Sequence, residues 1–251
     1  MAMNPMEQFE IHRIGPAVHL FGYDVSFTNQ SLFMCIVVGA VTLFFAMAVS
    51  RTKLVPGRMQ SMAEISYEFV ANMIRSTAGD DGLAFFPFVF SIFFFVLFSN
   101  FLGLIPFAFT VTSQIIVTFA LTALVMLTVV LVGFAKHGIG FLKLFVPKAP
   151  LLLLILLVPI EIISFLTRLV SLSVRLFANM LAGHTMLAVF AGFVVALGAA
   201  GWLAPVAIGP MLMIVFIGAL EMLVAFLQAY VFAVLTCIYL NEALHLHGEH
   251  H

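Results

Sequence analysis

The sequence predicts an all-α integral membrane protein, and three observations lead to that prediction. Of the 251 residues, 64% are hydrophobic and only 8% are charged, whereas a soluble domain carries about 25% charged residues. The mean hydropathy is +1.22. The apolar runs also lack the alternation of period two that barrel strands show, so they are expected to be helices.

Composition also argues against several classes of function and site. The formal net charge of −1 offers no basic footprint for nucleic acid, and no GxxxxGK[ST] motif is present to bind a nucleotide. Cys35 and Cys237 lie far apart in apolar runs. We expect two small buried side chains there rather than a disulfide or a metal pair. No cofactor or metal site is predicted.

The first third of the chain predicts one span and one amphipathic helix. Residues 1–30 are polar and mixed in charge and form an N-terminal segment without the features of a cleaved signal peptide. Residues 31–50 supply the roughly 20 apolar residues that a bilayer core of about 30 Å requires. Within 57–77, four apolar residues share one helical face: Met62, Ile65, Phe69 and Met73. This helix is expected on the membrane surface or against a partner.

The remaining apolar sequence predicts four further helices. No charged residue occurs from 82 to 135, a stretch too long for one span, and a break near Pro106 divides it into helices at 85–107 and 114–134. A second break, rich in glycine and proline, divides the next region into 151–197 and 206–240. Both of these helices exceed one upright span, so they must tilt, bend or lie partly along the membrane.

The ends of the chain and its basic loops predict an orientation. Basic residues fall in two loops, between 51 and 75 and between 136 and 148. Such loops face the cytoplasm, which places the N-terminus outside and the C-terminus inside. The segment 241–251 is polar and rich in histidine. A solvated tail is the favoured interpretation of that segment, with metal binding as the alternative.

Polar residues recur at helical spacing inside the first long helix. They form one stripe with steps of three or four, which continues to Ala182: Glu161, Ser164, Arg168, Ser171, Arg175 and Asn179. A charge at the bilayer centre costs about 2.5–3.5 kcal/mol, so such residues are functional candidates. The second long helix carries Glu221 and Gln228 on a common face. For Ser164, Ser171 and Asn179, polar contact between helices is an equal alternative.

Protonation chemistry gives the charged candidates different roles. A guanidinium does not release its proton at working pH, so Arg175 is a fixed cation that attracts a carboxylate and keeps it ionised. Ser171 and Asn179 occupy the positions one turn away, so that carboxylate can come from another subunit. Glu161, His184 and Glu221 can exchange protons. The pattern suggests two proton paths that a fixed cation keeps apart.

Four segments carry a resemblance to a known family. They are RLFANMLAGH at 175–184, EMLVAFLQAYVFAVLTCIYL at 221–240, NFLGLIP at 100–106 and PIEIISFLTRLVSLSVRL at 159–176. They resemble subunit a of the F-type ATP synthase. The resemblance implies a non-enzymatic subunit of the bacterial inner membrane, beside a ring of c subunits and a stalk of b or b/b′ subunits. Its two long helices form a strongly tilted hairpin against that ring.

The resemblance also implies a role for each candidate residue. Arg175 corresponds to the arginine that faces the ring carboxylate, with Asn179 and Gln228 as its polar neighbours. His184 and Glu221 correspond to the pair that lines the half-channel open to the outside. Glu161 corresponds to an acid nearer the cytoplasmic half-channel, and Arg168 to a position that is basic in relatives.

The positions of the histidine and the acid indicate which group of organisms the sequence comes from. Many bacterial members have these two residues exchanged between the helices. Here His184 is on the first long helix and Glu221 on the second, which resembles mitochondrial and alphaproteobacterial relatives. Two other classes of function stay open. A proton-coupled secondary transporter should show internal repeats, which the sequence lacks, and a purely structural scaffold would need no titratable groups.

Overall fold

The computed structural model describes residues 10–14, 19–20, 23–24, 26–50, 56–105, 108–145 and 151–245. Within these ranges the chain forms six α-helices: α1 Asn29–Val49, α2 Arg58–Ala78, α3 Phe86–Gly103, α4 Ile115–His137, α5 Leu151–Ala199 and α6 Ile208–Leu244. Two short strands, β1 His19–Leu20 and β2 Tyr23–Asp24, pair antiparallel before α1. The predicted all-α class is confirmed.

Among the described residues, five helical segments are long and apolar enough to cross a membrane: Asn29–Val49, Asp80–Gly103, Ile115–Phe141, Leu153–Ala199 and Ala204–Leu244. α5 has 49 residues and α6 has 37, which correspond to about 74 and 56 Å at 1.5 Å per residue. Both exceed the roughly 30 Å of a hydrocarbon core. Pro210 lies in the first turn of α6, where a missing N–H costs no helical hydrogen bond.

Several helix ends differ from the predicted boundaries. α3 ends at Gly103 rather than 107, and α4 continues to His137 rather than 134. α6 continues to Leu244, so the first four residues of the predicted polar tail are helical. The reason lies in contacts of that last turn: the Leu244 carbonyl lies 3.1 Å from His137 Nε2, and Glu242 pairs with a basic residue of α5.

Some predicted features lie outside the described residues. They are most of the segment 1–30, the histidine-rich tail after His245, and the individual residues Arg51, Lys53, Pro106 and Lys148. The breaks between the apolar helices contain 3₁₀ turns at Val111–Ser113 and Gly201–Ala207. Gly201 has a φ of +64°, a backbone conformation that a residue with a side chain rarely adopts.

The chain divides into two compact units. The first comprises Met1–Leu43, Phe95–Gln114 and Leu176–Ala229, and so includes the end of α3 and parts of α1, α5 and α6. Its core contains several fully buried apolar side chains: Val96, Leu176, Met180, Ala225 and Ala229. It also buries an unusual number of polar residues for a membrane-spanning region: Ser99, Asn100, Thr110, Thr112, Ser113, Glu221 and Gln228.

The second unit comprises Phe44–Phe94, Ile115–Arg175 and Tyr230–His251. An aromatic cluster joins α1 to α3, because Phe45, Phe90 and Phe94 have ring centroids 4.6–5.0 Å apart. α2 packs through its second half, where Val70, Ala71, Met73, Ile74 and Ala78 are buried.

The predicted apolar face of α2, on the membrane surface or against a partner, stays a prediction. Met62 and Ile65 of that face are 54% and 66% exposed, and the residues of α2 that pack within this unit belong to its second half. One sequence-based interpretation needs correction here. Cys35 is exposed rather than buried, since it lies on a face of α1 that the described chain does not cover. Cys237 is buried as predicted, and both cysteines are free.

Candidate functional site

In the first unit, His184 of α5 and Glu221 of α6 form a close pair. His184 Nε2 lies 3.6 Å from Glu221 Oε1, and the two side chains are only 12% and 4% exposed. The two carboxyl oxygens of Glu221 make no hydrogen bond with any residue that the structure describes. A buried carboxyl is tolerated when it is neutral or faces a cation. The pair can therefore hold one proton on either partner.

A glycine allows this pair to form. A methyl group at Gly183, the residue before His184, would lie 2.6 Å from Glu221 Oε1 and 2.9 Å from its Cδ. Both distances are far shorter than a normal van der Waals contact, so any side chain there would displace the carboxyl group. Gly183 thus lets the acid of α6 rest directly against the backbone of α5.

Buried polar residues of α3 and of the turn before α4 surround the first unit's core. Asn100 donates through Nδ2 to the Ala225 carbonyl at 3.1 Å, and Thr112 Oγ1 donates to Asn100 Oδ1 at 2.9 Å. Thr110 Oγ1 lies 3.2 Å from His184 Nε2. Sequence reasoning missed these residues, since it treated the turn only as a break. The signal was the presence of six hydrogen-bonding side chains between 99 and 114, in a region without charge.

The polar residues Asn179 and Gln228 also meet in the first unit. Asn179 donates through Nδ2 to Gln228 Oε1 at 2.9 Å. Gln228 is buried, and its Nε2 group has no hydrogen-bond partner among the described residues. A buried amide donor without a hydrogen bond costs free energy. Gln228 Nε2 would therefore gain from a further acceptor.

In the second unit, Arg175 lines an open recess of about 370 Å³ between α5 and α6. The residues around the recess are Ser164, Thr167, Arg168, Ser171, Leu172, Arg175, Leu235 and Tyr239. Arg175 is exposed, and no hydrogen bond or ion pair joins its guanidinium to the part of the chain that the structure describes. The recess therefore presents a permanent cation among hydroxyl groups.

Arg168, at the same recess, has a partner that sequence reasoning missed. Its Nη1 pairs with Glu242 of α6, and its guanidinium lies 5.4 Å from the centroid of the Tyr239 ring. Glu242 had been assigned to the polar tail. The signal was its spacing, because Glu221, Gln228, Leu235 and Glu242 follow one another at intervals of seven.

Comparison with known proteins identifies the family. A family model described as ATP synthase A chain matches residues 31–241. The chain belongs to the ATP synthase subunit a family. It is 59% identical to the ATP synthase subunit a of Mesorhizobium japonicum over 97% of each chain. It is 57% identical to that of Pelagibacter ubique over 98% of this chain and 100% of the relative.

A third relative, the ATP synthase subunit a of a Chelativorans species, is 60% identical over 98% of this chain and 99% of its own length. The predicted family and its alphaproteobacterial character are both confirmed. With five apolar helices of membrane-spanning length in the part of the chain that the structure describes, this member of the subunit a family is a multi-pass membrane protein.

The predicted site residues of this subunit a family member fall into both units. His184 and Glu221 meet in the first unit, as do Asn179 and Gln228. Ser171, Arg168 and Arg175 line one recess in the second unit. Glu161, also in the second unit, is half-buried on α5 and does not line that recess. Within the described ranges, no three His, Cys, Asp or Glu residues cluster to hold a metal ion.

The ion pair between Arg168 and Glu242 should contribute modestly to stability. Both side chains are about one-third exposed (31% and 32%), so water screens the pair and its coupling should be about 1 kcal/mol or less. Arg168→Ala and Glu242→Gln should each lower the melting temperature of the detergent-solubilised complex slightly. Their combination should lower it no further, because either change removes the same contact.

The matched control for that cycle is another ion pair of the second unit. Lys136 Nζ lies 3.2 Å from Asp81 Oδ2, with side chains that are 42% and 60% exposed. The cycle of Lys136→Ala with Asp81→Asn should show a smaller coupling, since the pair is more exposed. Fully additive effects of Arg168→Ala and Glu242→Gln would contradict the assigned contact.

Proposed function

We propose that this chain is the stationary proton-translocating subunit of an F-type ATP synthase, with two offset half-channels that serve the carboxylates of a c-ring. The observation that carries the proposal is Arg175. It is a permanent cation on a membrane-length helix, exposed in a polar recess, and no acid of the described chain neutralises it. Such a charge costs free energy in a bilayer unless an opposite charge of a partner pairs with it.

In this proposal, protons enter from the outside past His184 and Glu221. Their contact of 3.6 Å and their burial support a relay, because a proton can rest on either group while water stays scarce. The proton then neutralises a carboxylate of the ring, and rotation of the ring can carry the neutral carboxyl group into the lipid phase. Each proton that crosses releases about 2.3 kcal/mol per 100 mV of membrane potential, and this energy drives rotation.

On the other side of the barrier, the ring carboxylate gives up its proton near Glu161 toward the cytoplasm. Arg175 favours the ionised carboxylate by charge attraction and prevents a proton from passing directly between the two paths. Arg168 and Ser171 support this role as polar walls of the recess that holds Arg175. Asn179 and Gln228 support it as a hydrogen-bonded amide pair.

The proposal extends to partners and orientation. The partners are a ring of c subunits and a peripheral stalk of b or b/b′ subunits, in the inner membrane of a bacterium. The N-terminus lies outside and the C-terminus in the cytoplasm, which the basic loops support. ATP is made by a distant soluble sector, so this chain contributes no catalytic residue, nucleotide site, metal or cofactor.

Proton flux into liposomes tests the function. The membrane sector is reconstituted with and without this chain, a potassium diffusion potential is imposed, and uptake is followed with a pH-sensitive dye. We expect uptake by the complete sector and none when this chain is omitted or reconstituted alone. Uptake by this chain alone would instead support a secondary transporter, and equal flux without this chain would support a structural scaffold.

A further inference from the structure

Thr110, in the turn between α3 and α4, contacts the buried pair that His184 of α5 forms with Glu221 of α6. Its side chain is 3% exposed, and its Oγ1 lies 3.2 Å from His184 Nε2 and 3.4 Å from the Gly103 carbonyl oxygen. The same Nε2 atom is 3.6 Å from Glu221 Oε1. One imidazole nitrogen therefore faces both a hydroxyl and a carboxyl group.

The approach of Thr110 depends on a glycine at the end of α3. A methyl group at Gly103 would lie 2.7 Å from Thr110 Cγ2 and 3.1 Å from its Oγ1. The threonine would have to move away, since neither distance is compatible with a normal contact. Gly103 and Gly183 thus leave room on two sides of His184, one for Thr110 and the other for Glu221.

The number of hydrogens at this site constrains what Thr110 can do. A hydroxyl has one hydrogen to donate and lone pairs to accept with. While Nε2 carries a hydrogen, Thr110 can accept from it and donate its own hydrogen to the Gly103 carbonyl. Once Nε2 has lost its hydrogen, the hydroxyl can rotate and donate to it. Thr110 can therefore form a hydrogen bond with either state of the imidazole, as acceptor in one and as donor in the other.

We propose that Thr110 is a positioning residue for proton transfer between His184 and Glu221. The transfer moves one proton from Nε2 of an imidazolium to Oε1 of a carboxylate, which yields a neutral imidazole and a neutral carboxyl group. Every other bond is unchanged, and only the Thr110 hydroxyl reorients. In the imidazolium, the single Nε2 hydrogen is shared between Thr110 Oγ1 at 3.2 Å and Glu221 Oε1 at 3.6 Å until it moves to the carboxylate. The contact with Thr110 keeps the ring from rotating away from Glu221. The inference rests on the proposed function.

The side chain can be tested apart from the turn itself. The Thr110 carbonyl accepts from the Ser113 hydroxyl at 2.7 Å and from the Ser113 N–H at 3.2 Å. These contacts involve only the backbone of Thr110, so substitutions at position 110 leave them in place. A purely structural role would make the volume of the side chain matter, whereas a positioning role makes its oxygen matter.

Thr110→Ala and Thr110→Ser form a matched pair, because both remove the γ-methyl and they differ in one oxygen. Proton conduction is measured on the whole membrane sector in liposomes, at matched amounts of assembled complex. We expect Thr110→Ala to reduce conduction about tenfold, the factor that one hydrogen bond of ordinary strength can carry. Thr110→Ser and the unmodified complex should conduct at similar rates. Thr110→Val, which keeps the volume, should resemble Thr110→Ala.

A second-site variant tests the geometry. Gly103→Ala should reduce conduction because it displaces Thr110, and adding Thr110→Ser should restore part of it, since serine lacks the Cγ2 atom at 2.7 Å. Equal conduction by the alanine and serine variants would overturn the inference, as would a Thr110→Ala complex that fails to assemble.

A reference variant separates this inference from the proposed function. The complex with His184→Ala should not conduct protons, whether or not Thr110 has the proposed role. If His184→Ala conducts normally, the proposed outer half-channel is wrong. If His184→Ala is inactive and Thr110→Ala conducts normally, only the role of Thr110 is wrong.

Discussion

Replacing Arg175 by alanine should abolish ATP-driven proton pumping while the complex remains assembled. Within the described chain the guanidinium makes no hydrogen bond or ion pair, so its removal breaks no such contact in the fold. What disappears is a permanent positive charge in the recess between α5 and α6. Removal of one preorganised electrostatic group costs about a hundredfold or more in rate. The measurement is acidification of inverted membrane vesicles on addition of ATP.

Two further substitutions make the Arg175 result specific. Arg175→Lys keeps a cation but loses the planar fork of donors, so we expect partial pumping. Arg75, an exposed arginine in the last turn of α2, is the matched control, and Arg75→Ala should leave pumping intact. Normal pumping by the Arg175→Ala complex would remove the proposed separation of two half-channels.

Exchange of His184 and Glu221 should restore proton conduction that either single change destroys. Glu221→His leaves two imidazoles and His184→Glu leaves two carboxyl groups, so neither retains one acid and one base at a contact of 3.6 Å. Loss of a positioned proton-transfer partner costs about a hundredfold or more. The double exchange brings back one carboxyl group and one imidazole. Conduction through the membrane sector in liposomes is the measurement.

The control for the exchange is Glu221→Gln, which keeps the shape of the side chain but cannot carry a proton. It should be as impaired as Glu221→His. Recovery in the double exchange should be incomplete, since the imidazole would sit where Gly183 leaves space for a smaller carboxyl group. Normal conduction by a complex with both His184→Ala and Glu221→Ala would contradict the relay.

Two contacts between distant parts of the chain show why sequence patterns missed part of the site. Glu242 pairs with Arg168, and Thr110 meets His184, and in each case the two residues are 74 positions apart in the chain. Helical spacing relates residues a few positions apart, so it predicted the stripe on α5 and the shared face of Glu221 and Gln228. It offers no information on which residue of another helix lies opposite.

The turn between α3 and α4 shows a second reason. Threonine, serine and glutamine near glycine and proline are typical of an exposed break. In this protein Thr110, Thr112 and Ser113 are buried, at 3%, 0% and 2% exposure. The cost of burying them is offset by hydrogen bonds to Asn100, Gly103 and His184. Whether a polar turn is solvated or buried depends on what the rest of the fold places over it.

The sequence alone determined the membrane class, the order of the apolar helices and the charged candidates. Hydropathy and the cost of an intramembrane charge are properties of short segments, so local residues reveal them. Only the tertiary structure decided that Thr110 meets the pair of His184 and Glu221, which the resemblance implies, and that Arg168 meets Glu242. Hydrogen bonds and ion pairs need separations of about 3–4 Å, and the packing of separate helices sets those distances.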